Sequence, residues 1–263
     1  MTSSILLTGG TGTLGRRVLP LLLDAGFTVR VLSRRVHEPG DGVEYVTGDL
    51  IEDEGTAAAV EGAETVLHLA GGAKGDDVAT RNLARAAARA GVGHFVHISV
   101  VGADRIPLAY LRAQRDAELA VADSGVPWTT LRAAQFHTLV LTMVEKMAKL
   151  PVVPVPGGLR LQSVDPGEVA ARLVELVRGE PSGPVADLVG PEEYGLAEPV
   201  RAYLRAYGKR RPLMPVRIPG KAGRAYRAGE NLSVDGAMRG TRTWAEFLAD
   251  APEHVHVVGT EAP

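Results

Sequence analysis

Short apolar runs alternate along the chain with longer segments of helical period. Ile5, Leu6 and Leu7 form the first run, the pattern of a strand buried on both faces of a parallel sheet. Further strands are predicted at residues 28–32, 43–47, 65–69, 94–98 and 127–131. Between them, residues 13–25 and 76–90 carry helical spacing, and Gly26 and Gly91 follow as stop residues. Pro20 falls inside the first helix and predicts a local kink. A third helix carries Tyr110, Gln114, Asp116, Ala117 and Leu119, and residues 105–107 lead into it. Strands and helices joined by short links predict an α/β fold with a doubly wound parallel sheet of Rossmann type.

Beyond residue 138 the rhythm changes. Pro151, Pro154, Pro156, Gly157 and Gly158 mark an extended crossing; residues 165–178 and 198–207 read as helices and 185–189 as a short strand. Pro212, Pro215 and Pro219 exclude a central strand over 211–219. A last amphipathic helix over 241–249 turns Trp244, Phe247 and Leu248 inward. The expected division is a dinucleotide-binding domain over 1–150, a small substrate-binding α/β lobe over 151–250 intertwined with it, and a flexible tail over 251–263.

Chemistry enters directly after the first strand. Gly9, Gly12 and Gly15 have the spacing G-x-x-G-x-x-G, with Thr11, Thr13 and Leu14 between them. Glycine lets the strand turn sharply and lets backbone N–H groups approach a pyrophosphate, and the helix that opens there adds its unpaired N–H groups. Strand before and helix after make this a dinucleotide site. The second strand delivers Ser33, Arg34 and Arg35 to the adenosine ribose, with no acidic residue over 28–36. Arginine matches a 2′-phosphate where a carboxylate would match the NAD hydroxyl, so the expected cofactor is NADP, with NAD possible. Two solvated loop arginines are the alternative. Asp49 faces the adenine amino group, with Leu50 on the ring, or else caps a helix. After Leu69, itself an expected cofactor contact, the small residues Ala70, Gly71 and Gly72 let the backbone pass close under the ribose or nicotinamide, and Ala133 and Gln135 follow the sixth strand toward it.

Composition narrows the class. The chain has 263 residues, 45% hydrophobic and 23% charged, with a net charge of −2, giving no electrostatic case for nucleic-acid or membrane binding. The absence of cysteine excludes disulfides and a cysteine nucleophile. His94 and His97 alternate into a buried strand without a carboxylate cluster, so no metal site is expected. The chain enters its first strand too early for a cleavable signal and has no membrane-length apolar run, so a soluble, cytoplasmic protein, monomer or homodimer, is expected.

The 8–15 run (TGGTGTLG), Leu32-Ser33-Arg34-Arg35, Gly48-Asp49-Leu50, Leu69-Ala70-Gly71 and the stretch 99–139 together resemble the atypical short-chain dehydrogenase/reductase proteins of the NmrA-like, NAD(P)H-binding group. That group includes quinone oxidoreductases and non-catalytic redox sensors. The resemblance implies a Ser–Tyr–Lys set, in which lysine lowers the tyrosine pKa and anchors the nicotinamide ribose. Ser99 and Tyr110 match, but the lysine position holds Gln114, which offers hydrogen bonds and no charge. Arg115 points about 100° around the helix and is a poor substitute. Tyr110 acts as proton donor or packs on the substrate rim. Lys74 either compensates for the lost charge or is solvated.

Val101, Phe136 and His137 are the expected substrate-pocket residues, His137 as a hydrogen-bond or proton donor or as a structural histidine. The 139–147 segment is a cleft wall or plain core. The expected function is NADPH-dependent reduction of a quinone or activated aromatic or polycyclic carbonyl substrate. A place in a natural-product tailoring hydroxylation or monooxygenation is a reasonable extension. The rival is an NADP(H)-binding redox sensor, and a sugar-nucleotide epimerase is disfavoured by the missing lysine.

Overall fold

The computed structural model describes residues 3–254 except 39, 41, 73 and 234, and the side chains of 251–254 are not described. The chain divides into two compact units, residues 1–133 with 166–187, and residues 134–165 with 188–263.

In the first unit the strands are β1 (Ser4–Thr8), β2 (Thr28–Ser33), β3 (Val43–Thr47), β4 (Thr65–His68), β5 (His94–Val100) and β6 (Trp128–Ala133). Its first four helices are α1 (Gly15–Asp24), α2 (Thr56–Val60), α3 (Asp76–Ala90) and α4 (Ala109–Ala122). The strands lie in the order β6-β5-β4-β1-β2-β3, every neighbouring pair parallel. This is the doubly wound order, and its direction reverses between β1 and β4. The carboxyl ends of those two strands form the crevice in which open α/β sheets bind ligands.

The central strands β1 and β4 are buried almost throughout because both faces are covered, whereas the edge strand β3 has no fully buried residue. Leu6, Val66 and Phe95 belong to one buried cluster with Leu83, Ala84 and Ala87 of α3 and Val121 of α4. After an excursion of the chain, α6 (Pro166–Arg178) packs on α1, and β9 (Gly183–Pro184) adds beside β6. Helix α6 therefore belongs with the sheet unit, which breaks after residue 133 and not at the expected 150; the chain returns to it over 166–187. Helix α1 runs on through Pro20 without interruption. Strand β5 extends to Val100, which places Ser99 inside the strand.

In the second unit, α5 (His137–Met147) and α7 (Ala197–Ala206) pack together. The unit also contains two two-stranded sheets, β7 (Val153–Pro156) with β12 (Leu213–Val216) and β8 (Arg160–Leu161) with β11 (Tyr194–Gly195), and the parallel strands β10 (Leu188–Val189) and β13 (Met238–Arg239). The proline-rich 211–219 segment thus does form a strand, in a sheet of two. The strand expected over 185–189 resolves into β9 and β10. Helices α8 (Gly220–Ala228) and α9 (Trp244–His254) complete the unit. Trp244, Phe247 and Leu248 are buried as expected, and they share a core with Val140, Leu141 and Val144. Helix α9 extends into the expected tail, and residues 255–263 lie outside the described residues. No helix among the described residues is long and apolar enough to cross a membrane.

Candidate active site

The glycine turn joins β1 to α1, and its three glycines have different jobs. Gly9 has φ +69°, and a Cβ there would lie 2.7 Å from the Ala70 nitrogen. The turn can therefore press against the segment after β4 only with glycine. A Cβ on Gly15 would meet the Gly9 carbonyl at 2.2 Å, so this glycine lets α1 start directly against the turn. Gly12 is exposed, and its Cβ would approach only the Gly9 oxygen, at 3.2 Å. Its missing side chain leaves open space on the outer side, a cradle suited to a pyrophosphate. Thr11 and Thr13 are exposed beside it, while Leu14 is buried. Arg16 Nε donates to the Thr11 carbonyl at 2.8 Å and Arg17 Nη1 to the Thr13 carbonyl at 2.7 Å. Those guanidiniums bring positive charge to the turn, a contribution the glycine spacing alone does not disclose.

A buried network ties the turn to the wall opposite. His68 of β4 is paired in register with Thr8 of β1. Thr80 donates its hydroxyl proton to the Asp76 carbonyl at 2.6 Å. His68 Nε2–H must therefore donate to Thr80, which leaves Nδ1 to accept from the Thr8 hydroxyl at 2.7 Å. Thr8 Oγ1 in turn accepts the N–H groups of Leu69 and Ala70, each at 3.2 Å. Burial, with a smaller contribution from His97, holds His68 well below the usual imidazole pKa, so it is neutral. His97 stacks on it at 5.4 Å and is pushed down to about 4 by burial. This network escapes a sequence reading because its members are some 60 residues apart.

Ser33, Arg34 and Arg35 stand at the carboxyl end of β2, both arginines exposed. The Ser33 hydroxyl accepts the Arg35 N–H at 3.1 Å and meets His37 Nε2 at 3.0 Å, which shapes the loop. Changing both arginines to alanine should weaken NADPH by about tenfold or more and NADH little, as fluorescence titration would show. An equal loss for both cofactors would place the 2′-phosphate elsewhere. Asp49 caps no helix: its Oδ1 accepts the Ile51 N–H at 2.8 Å within a turn, and α2 starts after Gly55. Leu50 is buried in the core below.

The expected catalytic groups are placed less openly. Ser99 is 2% exposed, and its hydroxyl donates to Glu118 at 2.6 Å. Arg132, in register with Ser99 on β6, grips the same carboxylate with two bonds of 2.7 Å and reaches Asp104 at 3.1 Å. Arg115 also binds Glu118, at 3.0 Å, and so is turned away from any lysine-like role. Tyr110 is 43% exposed on α4; partial burial and the nearby Asp76 charge raise its pKa above 10. Gln114, one turn on, is buried, and its amide Nε2 donates to Asp76 Oδ2. The Gly72 N–H donates to the other oxygen of Asp76 at 2.7 Å. Gly71 lies against the same carboxylate, where a Cβ would stand 3.5 Å from Oδ2.

Two expected pocket residues are core. Val101 is wholly buried beside Ala133 at the sheet's end, with its N–H on the Ala133 carbonyl. His137, in the second unit, is also wholly buried. Its Nδ1 meets the Ser163 hydroxyl at 2.6 Å and its Nε2 the Arg242 carbonyl at 3.1 Å. Ser163 in turn meets the Tyr194 hydroxyl. With both ring nitrogens engaged inside the core, His137 fits the structural alternative. Phe136 is half-buried at the start of α5. Gln135, half-buried just before it, keeps a buried Oε1 without a hydrogen-bond partner among the described residues.

Among known proteins, the chain is 35% identical over 212 residues to a (4-alkanoyl-5-oxo-2,5-dihydrofuran-3-yl)methyl phosphate reductase of Streptomyces griseus, covering 78% of this chain and 74% of the relative. It is 28% identical, with the same coverage, to an NAD(P)H azoreductase of Xenophilus azovorans. The NADPH complex of an Escherichia coli NADPH-dependent quinone oxidoreductase shares the fold, with a TM-score of 0.79 at 20% identity over 93% of this chain and 98% of that one. Residues 9–178, from the glycine turn to the end of α6, match the NAD(P)H-binding family, and the chain belongs to that family.

Proposed function

We propose that this NAD(P)H-dependent oxidoreductase reduces an electron-poor conjugated acceptor, a quinone or an activated aromatic or polycyclic carbonyl compound, at the expense of NADPH. The observation that carries this reading is an asymmetry within one unit. The cofactor cradle is complete, with open space at Gly12, a close wall at Ala70 and arginines at Arg16, Arg17, Arg34 and Arg35. The proton-delivering set is not, because the Ser99 hydroxyl is spent on Glu118 and the Gln114 amide on Asp76.

Bound NADPH supplies a hydride. The glycine turn binds and orients its pyrophosphate, and the small residues Ala70 and Gly71 keep the crevice open. Tyr110 holds its phenolic proton throughout the neutral range, since burial and, to a smaller extent, the Asp76 charge oppose its ionisation where a lysine would promote it. An unactivated ketone needs a proton as the hydride arrives, whereas a quinone yields a delocalised hydroquinone anion that takes its proton from water or Tyr110. The names of the relatives, an azoreductase and a reductase of an unsaturated oxo-dihydrofuran, support an acceptor of this kind. A hydroquinone so formed reacts with dioxygen, which suits a tailoring step that ends in hydroxylation.

Steady NADPH oxidation with simple quinones is the expected result. Tyr110→Phe should lower kcat by less than the ~100-fold typical of losing a general acid. NADPH that is bound but never consumed across quinone, azo and enone panels would turn the reading to the redox sensor.

A further inference from the structure

Where the short-chain reductase pattern calls for a lysine, the structure supplies a carboxylate. Gln114 occupies the lysine position, and its amide is committed to Asp76. Each oxygen of Asp76 accepts one N–H, from Gly72 and from Gln114. That arrangement suits the ionised carboxyl, because a protonated oxygen would direct its hydrogen at a donor. Its pKa lies above the usual 3.8, because burial, helped by the neighbouring Asp77, outweighs the lowering effect of the two N–H donors. Its place in the first turn of the 15-residue α3 adds a helix dipole that favours negative charge. Asp76 is 7% exposed, and among the described residues no arginine or lysine pairs with it.

Asp76 also sits at the crevice. Gly72, which holds it, directly follows Ala70 and Gly71, and Gly9 of the pyrophosphate turn packs on Ala70 with space for no Cβ. The carboxylate therefore lies on the β4 side of the switch point, a short backbone step from the phosphate cradle. The next group along a dinucleotide from its pyrophosphate, on the side away from Arg34, is the nicotinamide ribose. The ring it carries is neutral when reduced and cationic once its hydride has left.

We propose that Asp76 places a negative charge at the nicotinamide end of the site, so that the protein holds the oxidised cofactor more tightly, relative to the reduced one, than a lysine-bearing site would. The inference rests on the glycine turn being the NADPH site. Its consequence is direction. NADPH gives up two electrons and a proton's worth of hydrogen as hydride, the acceptor takes a further proton from water or Tyr110, and the cation left behind is stabilised where it forms. Asp76 acts by charge and position, and it makes no bond to the acceptor.

The test is calorimetric titration of NADPH, NADP+ and adenosine 2′,5′-bisphosphate into the wild type, Asp76→Asn and Gln114→Lys. The asparagine keeps an acceptor for Gly72, and Gln114 can turn its amide over to meet it; the lysine instead neutralises Asp76 without removing it. In both variants the ratio of Kd for NADP+ to Kd for NADPH should rise about tenfold. That is equivalent to a cofactor weaker as a reductant by about 30 mV. The bisphosphate lacks the nicotinamide half and should bind as before. A ratio within twofold of wild type in both variants overturns the inference. So does a matching loss for all three ligands, which would mark Asp76 as a structural residue only. Wild-type protein that binds none of the three would overturn the cofactor reading itself, and this inference with it.

Discussion

Gly12→Val is expected to reduce NADPH affinity by about 100-fold or more while leaving the melting temperature near that of the wild type. Gly12 is exposed and lacks positive φ, so a side chain there needs only a few tenths of an ångström of give at the Gly9 oxygen, 3.2 Å away. The folded chain can accept valine, but the branched side chain fills the space through which the backbone meets a pyrophosphate. Gly15→Ala is the internal control. Its Cβ would stand 2.2 Å from the Gly9 oxygen and 2.5 Å from the Gly10 Cα, and backbone cannot swing aside as a side chain can. That variant should lose about 2–3 kcal/mol of stability together with its cofactor affinity, by thermal denaturation and titration. Full NADPH affinity in Gly12→Val would falsify the pyrophosphate assignment.

Arg132→Ala should cost about 3–5 kcal/mol, the range for stranding one partner of a buried ion pair. Glu118 has only 7% of its side chain exposed, and Arg132 provides its bidentate partner from the neighbouring strand. Burial pushes the Glu118 carboxyl upward, but the bonds from Arg132, Ser99 and Arg115 outweigh it and leave the pKa below the usual 4.5. Asp104 is lowered likewise, Arg132 outweighing its burial. A carboxylate with a depressed folded pKa stabilises the fold above its unfolded pKa and loses that stabilisation as pH falls through the folded value. The gap between wild type and variant, read by urea unfolding, should therefore be full at pH 7 and shrink in acid below about pH 4.5. A gap that stays constant into acid would show that the loss is one of packing.

Much of the sheet unit is legible because its signals are local. Ile5 to Leu7, the glycines after them, and Gly26 and Gly91 at positive φ each announce an element within a few residues. Helix α2 is missed because five residues carry too little periodicity, and β8, β11 and β13 because two-residue strands carry none. Helix α8 hides because it is short and polar, with only the small residues Gly223 and Ala225 buried. For the site, the glycine turn and the arginine-rich end of β2 are visible in order, since each is contiguous. What sequence cannot disclose is which partner a polar side chain chooses. Ser99 and Gln114 are found in family positions, yet one turns to Glu118 and the other to Asp76, which by itself reads only as a helix start. His137 looks available in the chain and is enclosed by Ser163, Arg242 and the rings of Trp244 and Phe247.

Gln114 and Glu118 leave α4 one turn apart and are anchored in different places, one at the mouth of α3 and one on Arg132 of β6. The helix is stapled twice along a single face. Its amide hydrogens between those residues should exchange with solvent among the slowest in the sheet unit, even in cofactor-free protein. Little ordering entropy then remains to be lost on this side when NADPH arrives, so the temperature dependence of its binding should report burial of the ligand and not the folding of a helix.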